Sequence, residues 1–246
     1  MRSPFVRSLF FGFLFILPLT LQTAVPFPTV AQEPAHYTFA PPPPGTVLQS
    51  ILFYPAGQAM HSQWRAVVSK KSLTTSGHDS FYQWYLSIYA IDGESTYNLK
   101  YRSPGTDNFL SVVKKYDGST WLPTQSVKID GAGQLMHPTV ENLVVEKYEA
   151  SADCGGGEVA IFAYDPVNEK ITKALTIFNG CALHAKVIHN ALGDAVQLTG
   201  PYYGPNAPMC CPTKRSVTAI VRYSHRKWTM TPGYFTISAS LGAHGQ

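Results

Sequence analysis

The chain has almost no helical patterning. In its 246 residues no window sustains apolar residues at spacings of three and four between capping residues, which argues against a helical architecture. Short runs of β-branched and aromatic residues, bounded by Gly, Pro, Asp and Asn, are frequent instead. The sequence therefore predicts an all-β fold.

Recognisable catalytic motifs are also missing. The sequence contains no Gly-x-Ser-x-Gly elbow, no His-Glu-x-x-His helix and no phosphate-binding loop. His78, Asp79 and Ser80 are consecutive, and neighbours on one short loop rarely reach the geometry of a hydrolytic triad. We therefore predict a non-enzymatic protein without cofactor or metal. A secreted hydrolase is an alternative, because paired carboxylates come together only in the fold.

Positive charge is not concentrated in any segment. The 19 Lys and Arg residues stand against 15 Asp and Glu residues and are scattered along the chain. A nucleic-acid interface needs a concentrated basic stripe, so binding to DNA or RNA is not expected. The expected partner is a protein or a glycan.

Long apolar runs are confined to the N-terminus. Arg2 and Arg7 precede the run "SLFFGFLFILPLTL", which is shorter than the roughly 20 residues that span a bilayer. Residues 1–31 therefore form a predicted signal peptide, and no transmembrane span is expected after its cleavage; retention as an anchor is the alternative. No cysteine precedes Cys154, which excludes a lipid-modified N-terminus. These features predict a secreted or cell-envelope protein.

The remaining chain divides into a spacer and one domain. Residues 32–46 contain "PPPPG", which favours an extended, semi-rigid spacer. No linker-like gap follows, so residues 47–240 are predicted to form a single β domain. Its repeat units are expected at about 64–117, 142–200 and 215–235.

Two hairpins are especially clear. The first has a strand from Phe81 to Ile91, an Asp-Gly turn and a return strand from Thr96 to Arg102. The second has strands from Glu158 to Tyr164 and from Lys170 to Phe178. A turn over residues 166–169 makes Asp165 face Lys170 and Tyr164 face Ile171.

The segments before the two hairpins are similar to each other. Laying Val67-Val68 on Val144-Val145 also lays Lys70 on Lys147, and residues 216–230 form a shorter third copy. Repeated antiparallel units of this kind suit a propeller-like stack or a β-sandwich. The first unit resembles secreted β-propeller repeats that carry an Asp-rich calcium loop. The matching "KIDGAGQLMHPT" offers Asp130 alone, so calcium binding is not implied.

The four cysteines predict disulfide staples. Cys154 facing Cys181 closes the second hairpin and leaves the adjacent pair Cys210 and Cys211 to each other. A vicinal disulfide is strained, and two crossed pairings remain open. A zinc set of Cys181, Cys210, Cys211 and His184 is the less favoured alternative in an oxidising compartment.

Aromatic residues supply the candidate binding positions. Trp84 lies in a strand with aromatics on both faces, one of which could stack on a sugar or grip a partner. Tyr202 and Tyr203 lie in a Gly- and Pro-rich loop next to the cysteines. For all three the competing interpretation is burial in the core. The expected function is an exported interaction module, with glycan binding as an alternative.

The C-terminal part resembles a known family. The segment "GPYYGPNAPMCCPTKRSVTAIVRYSHRKW" is similar to the "GPxDPxCCPS…YRW" signature of bacterial LppP/LprE-type secreted lipoproteins, with a match over about residues 194–230. Its most specific element is Cys-Cys-Pro after a Gly- and Pro-rich turn. The chain departs from the family because it lacks the lipid-attachment cysteine. The resemblance implies an exported β module and no reaction.

Overall fold

A computed structural model describes residues 38–57, 63–76, 79–92, 95–108, 126–149, 156–179, 183–202 and 216–239. These residues belong to a unit that extends from His36 to Gln246. The predicted signal peptide, residues 1–31, and the four cysteines lie outside the described ranges. Every regular element within them is a β-strand, which confirms the all-β fold class. The described part of the chain contains no apolar helix of membrane-spanning length.

Sheet A contains six strands in the order β1-β5-β4-β3-β2, with β6 also paired to β4. Its strands are β1 (Thr38–Ala40), β2 (Thr46–Phe53), β3 (Trp64–Ser76), β4 (Asp79–Asp92), β5 (Thr96–Arg102) and β6 (Thr106–Asn108). The strands β2 to β5 are antiparallel neighbours, and β1 runs parallel to β5. Sheet A is thus an up-and-down meander of four strands with short additions at β4 and β5.

Sheets B and C are built in the same way. Sheet B has the order β15-β10-β9-β8-β7, and sheet C has the order β11-β12-β13-β14. Their strands are β7 (Val127–His137), β8 (Val140–Glu149), β9 (Gly156–Asp165), β10 (Lys170–Asn179), β11 (His184–Asn190), β12 (Gly193–Pro201), β13 (Ser216–Ser224), β14 (Lys227–Thr231) and β15 (Thr236–Ala239). Each of these sheets therefore contains a meander of four consecutive strands, and β15 returns to extend sheet B.

Sheet B packs against sheet A with one face and against sheet C with the other. On β9, Ala160 and Phe162 join the core shared with sheet A, whereas Val159 and Ile161 join the core shared with sheet C. All four side chains are buried. Burial on both faces explains why this strand is a continuous apolar run and does not alternate with polar residues.

The two predicted hairpins are β4–β5 and β9–β10. Asp165 pairs with Lys170 and Tyr164 with Ile171, as the sequence predicted. A register shift between Lys173 and Leu175 then places Asn179 opposite Gly157, one residue from the uninterrupted register. The extrapolation that set Cys154 opposite Cys181 assumed no such shift. Both cysteines lie outside the described residues, and their pairing stays a prediction.

The aligned valine pairs occupy corresponding places in two sheets. Val67-Val68 lie on β3 and Val144-Val145 on β8, the second strand of each meander. Val68 and Val145 both point into the core between sheets A and B. The predicted unit of 142–200 nevertheless spans two sheets, because β11 and β12 belong to sheet C. A sequence-level repeat stays a prediction.

The described part of the predicted spacer, residues 38–46, contacts sheet A. β1 pairs with β5, and the chain after it packs on sheet A. The Tyr89 hydroxyl donates to the Pro41 carbonyl over 3.0 Å, and Nη2 of Arg102 donates to the Pro42 carbonyl over 2.9 Å. Gly45 has a φ of +69°, and a Cβ there would lie 2.2 Å from the Lys70 carbonyl oxygen. The Pro41 and Pro42 carbonyls thus bind sheet A.

Candidate functional site

The structure removes Trp84 from the candidate binding residues. Its side chain is only 3% exposed and belongs to the core between sheets A and B. On the opposite face of the same strand, Tyr89 is fully buried beneath β1. The competing interpretation, a strand buried on both faces, is therefore correct for this region. Trp84 offers no ring face to a ligand.

The other sequence candidates are only partly described. Tyr202 is half-buried against the core between sheets B and C, and its ring lies 5.5 Å from that of Tyr234 in an edge-on contact. This packing supports the core interpretation for Tyr202. Tyr203 and His78 lie outside the described residues, as do all four cysteines.

A cleft of about 160 Å³ opens between sheets A and B, and we call it the A–B cleft. Its floor consists of five apolar side chains that also belong to the shared core: Leu86, Val127, Val145, Ala160 and Phe162. The ring of Tyr101 leans on Phe162 with centroids 5.3 Å apart and forms one side. The floor arises because neighbouring strands of sheet B each place an apolar residue on the same face.

One wall of the A–B cleft carries charge. Lys147 of β8 lies directly opposite Glu158 of β9, and Nζ of Lys173 from β10 lies 2.6 Å from Oε1 of Glu158. Burial, and next the negative charge of Glu158, raise the pKa of the Tyr101 hydroxyl above its ordinary value. Tyr101 therefore stays neutral and keeps its proton for donation. Lys147, Glu158 and Lys173 all line this wall.

The mouth of the cleft is formed by the turn between β5 and β6. The Ser103 backbone N–H donates to the Leu86 carbonyl over 2.9 Å, and the Leu86 N–H donates to Oγ of Ser103 over 3.0 Å. At Gly105 an added Cβ would lie 2.3 Å from the side chain of Gln83. These contacts fix the turn against β4.

The residues that line the A–B cleft offer few kinds of polar group. The cleft contains one serine, one carboxylate and two lysines, and no histidine is among the residues that line it. Glu158, the one carboxylate, is paired with Lys173. The arrangement suits a ligand with an apolar group and an acidic group.

A second group of charges, which sequence reasoning missed, lies between sheets B and C. It consists of Lys128 and Asp130 on β7, Glu146 on β8 and His184 on β11, and we call it the B–C carboxyl cluster. The only signal in the sequence is an acid within the apolar run of β8 and an acid before two glycines in β7. Neither signal indicates that the two strands bring these acids together.

The histidines of β11 do not form a metal site in the described ranges. His184 Nδ1 lies 3.4 Å from Oε2 of Glu146, and His189 Nδ1 lies 2.7 Å from Oδ1 of Asp194. Each histidine thus contacts a different carboxylate. No group of three or more metal-binding side chains occurs among the described residues. The cysteines of the alternative zinc set lie outside them.

The family resemblance covers residues on three strands. Of the segment 194–230, residues 194–201 belong to β12 and residues 216–230 to β13 and β14. The Cys-Cys-Pro element lies outside the described residues, and the resemblance to LppP/LprE-type lipoproteins stays a prediction. Comparisons of the chain with models of protein families, with characterised proteins and with solved structures found no match.

Proposed function

We propose that the protein is an exported, non-enzymatic interaction module whose A–B cleft receives an apolar side chain of a partner protein next to a carboxylate. The observation that carries this proposal is the combination of an apolar floor with a wall of two lysines and one glutamate. The predicted signal peptide supports export to the cell envelope or the exterior.

The size of the cleft favours a single side chain. Sites for whole small molecules usually have volumes of about 300–1,000 Å³. The A–B cleft has about 160 Å³, which suits one leucine- or phenylalanine-sized group. Protein interfaces commonly concentrate their binding energy in one such anchor inside a well-packed pocket.

The charged residues of the cleft wall favour a particular group next to the apolar side chain of the partner. Lys147 and Lys173 place two ammonium donors beside the apolar floor. A carboxylate on the ligand would accept bonds from lysine and from the neutral Tyr101 hydroxyl. An amine at the same place would meet like charge. The proposal therefore commits to an acidic partner segment.

The alternatives have less support from the geometry. Glycan binding needs an accessible flat ring, and Trp84 is buried. A hydrolase needs paired carboxylates or a serine with a histidine, and the residues that line the A–B cleft supply neither.

The test uses N-acetyl-leucine as a minimal ligand and follows the methyl groups of Val127, Val145 and Ala160 by NMR. We expect concentration-dependent shifts at these methyls, and weaker ones with N-acetyl-leucinamide, which lacks the carboxylate. Lys173→Glu should reduce the affinity several-fold. Lys186→Glu, the same change at an exposed position of sheet C, is the matched control and should have no effect. Unperturbed cleft methyls, or equal binding of acid and amide, would contradict the proposal.

A further inference from the structure

The B–C carboxyl cluster lies where β11 crosses β7 and β8. Lys128 pairs in register with Glu146, and Asp130 lies at a register shift of β7 between Ile129 and Gly131. Such a bulge redirects a side chain. Here it brings the Asp130 carboxyl to the same Lys128 ammonium that Glu146 contacts at 3.6 Å. Two buried carboxyl groups therefore share one lysine, whose side chain is 45% exposed.

Glu146 links sheet B to sheet C. Its Oε1 accepts a hydrogen bond from the backbone N–H of Ala185, and its Oε2 lies 3.4 Å from Nδ1 of His184. Both partners are at the start of β11. Burial opposes the ionisation of Glu146, but the bonds from His184 and Ala185 and the charge of Lys128 hold its pKa below its ordinary value. The bonds to β11 therefore use a charged acceptor.

Asp130 is the member of the cluster that is not fully bonded. Its side chain is 1% exposed, and its Oδ2 is buried without a hydrogen-bond partner. A buried carboxylate with a second carboxylate beside it is strongly disfavoured, and protonation removes that penalty. Burial first, and then the charge of Glu146, raise the pKa of Asp130 to about 8. At neutral pH Asp130 therefore holds a proton.

β11 also packs on β7 through apolar contacts, and Ala185 and Val187 belong to the core between sheets B and C. Val187 packs over the two glycines of β7, and a Cβ at Gly133 would lie 2.7 Å from its side chain. The next charged groups are Asp194 of β12, which accepts from the Gln134 N–H over 2.7 Å, and His189. Among the described residues of sheet A, the neutral Gln49 amide bonds to β7, at Ile129. No described side chain besides Lys128 and His184 offsets a second negative charge.

We propose that Asp130 is a pH-sensitive latch: its proton lets Glu146 keep the charge that binds the start of β11, and loss of that proton loosens β11 from sheet B. The device lies on the face of sheet B opposite the A–B cleft, and none of its four residues lines that cleft.

The direction of the pH response follows from the protonation of Asp130 in two states, with β11 bound to sheet B and with β11 detached from it. In the bound state Asp130 keeps its proton up to about pH 8, whereas in the detached, solvated state it ionises near its ordinary value of 3.8. Rising pH between these values therefore favours detachment, by at most about tenfold per pH unit. His184 acts in the same direction, because its contact with Glu146 raises its pKa and that contact is lost as His184 deprotonates. Below about pH 4.5 protonation of Glu146 weakens the bonds instead.

The test is amide hydrogen exchange of the full chain at Ala185, between pH 5 and 8. After correction for intrinsic exchange, we expect protection of the Ala185 N–H to fall as pH rises in the wild type. In Asp130→Asn, which is neutral at every pH, protection should stay nearly constant up to the titration of His184. Asp165→Asn, in the β9–β10 turn, is the matched control and should keep the wild-type slope.

A second measurement does not depend on a variant. The ¹³C resonance of the Asp130 carboxyl in the wild-type chain should titrate with a midpoint near 8. A midpoint near 4, or an Ala185 amide whose protection is independent of pH, would overturn the latch. An unchanged slope in Asp130→Asn would overturn it as well, since Asp130 would then carry no part of the response.

Discussion

The two faces of sheet B are held to sheets A and C by different kinds of interaction. Towards sheet A the contact is an apolar core around Leu143, and its charges lie at the margin, in the wall of the A–B cleft. Towards sheet C a comparable apolar core surrounds Leu175, but charged side chains also lie inside the contact, at the start of β11. The same sheet thus has one face held by apolar packing and one face whose attachment also involves buried carboxyl groups.

The difference shows where a polar group can be used for binding. Lys173 is 42% exposed, so its pairing with Glu158 adds little to folding and leaves the ammonium open to a ligand. Asp130 and Glu146 are buried, so a missing hydrogen bond at either carboxyl group lowers the stability of the fold. We therefore expect changes in the A–B cleft to affect binding and changes in the B–C carboxyl cluster to affect stability.

The largest effects are expected from the apolar cores. Leu143→Ala and Leu175→Ala each remove a fully buried side chain, one from each face of sheet B. Each should lower the free energy of unfolding by about 2–5 kcal/mol, because a cavity remains. Urea unfolding at pH 5 and pH 8 should give the same loss at both pH values. If the decrease in the free energy of unfolding of Leu143→Ala depended on pH, the proposed difference between the two faces of sheet B would be contradicted.

The next effect is expected from Glu146→Gln. At pH 7 the variant loses a charged acceptor for two groups of β11, and the free energy of unfolding should fall by about 1.5–3 kcal/mol. The Glu146 contribution is present above the unfolded pKa of 4.5 and is lost as pH falls through its lowered folded pKa. The difference between variant and wild type should therefore shrink in acid. A difference of equal size at pH 3 and pH 7 would contradict a charge-based link.

Asp130→Asn should have a smaller effect of opposite sign. At pH 8 the wild type has lost the stability that the Asp130 proton contributes at low pH, whereas the amide needs no proton. We expect the variant to be more stable than the wild type by about 1–3 kcal/mol at pH 8 and nearly equal to it at pH 4. Chemical denaturation at both pH values measures this crossover. A variant less stable than the wild type at pH 8 would show that the ionised carboxylate is the bonded form.

Lys173→Ala should have the smallest effect on stability. The ion pair with Glu158 is largely solvated on the lysine side, with 42% of that side chain exposed. Its loss should change the free energy of unfolding by no more than about 1 kcal/mol. N-acetyl-leucine should nevertheless bind the variant less well than the wild type. A large loss of stability with unchanged binding would contradict the expectation that charges in the A–B cleft affect binding and charges in the B–C carboxyl cluster affect stability.

Local patterns predicted part of this architecture. The β9–β10 hairpin and its first residue pairs follow from alternation and one turn, which lie within a short stretch of sequence. The register shift near Leu175 was not predicted, because a bulge is decided by packing against the neighbouring sheet. The position of β11 and β12 in sheet C was also missed, because the local sequence of a hairpin does not indicate which sheet the hairpin joins.

The candidate sites were harder to predict. Trp84 was offered as a binding residue because an aromatic on a strand has the same pattern whether it faces solvent or a second sheet. From the sequence, Asp130 was considered only as a possible calcium ligand, and one carboxylate is too few to bind calcium. Its actual neighbours, Glu146 and His184, are 16 and 54 residues away in sequence. No local pattern connects positions at such separations.

The sequence by itself determined the strand class, two of the hairpins and the absence of recognisable catalytic motifs. These depend on backbone preferences and side-chain alternation, which act between near neighbours. Only the tertiary structure decided which faces became core, where the A–B cleft opened and that Asp130 met Glu146. Burial and electrostatic interaction depend on distance in space, and three packed sheets bring together residues that the chain keeps far apart.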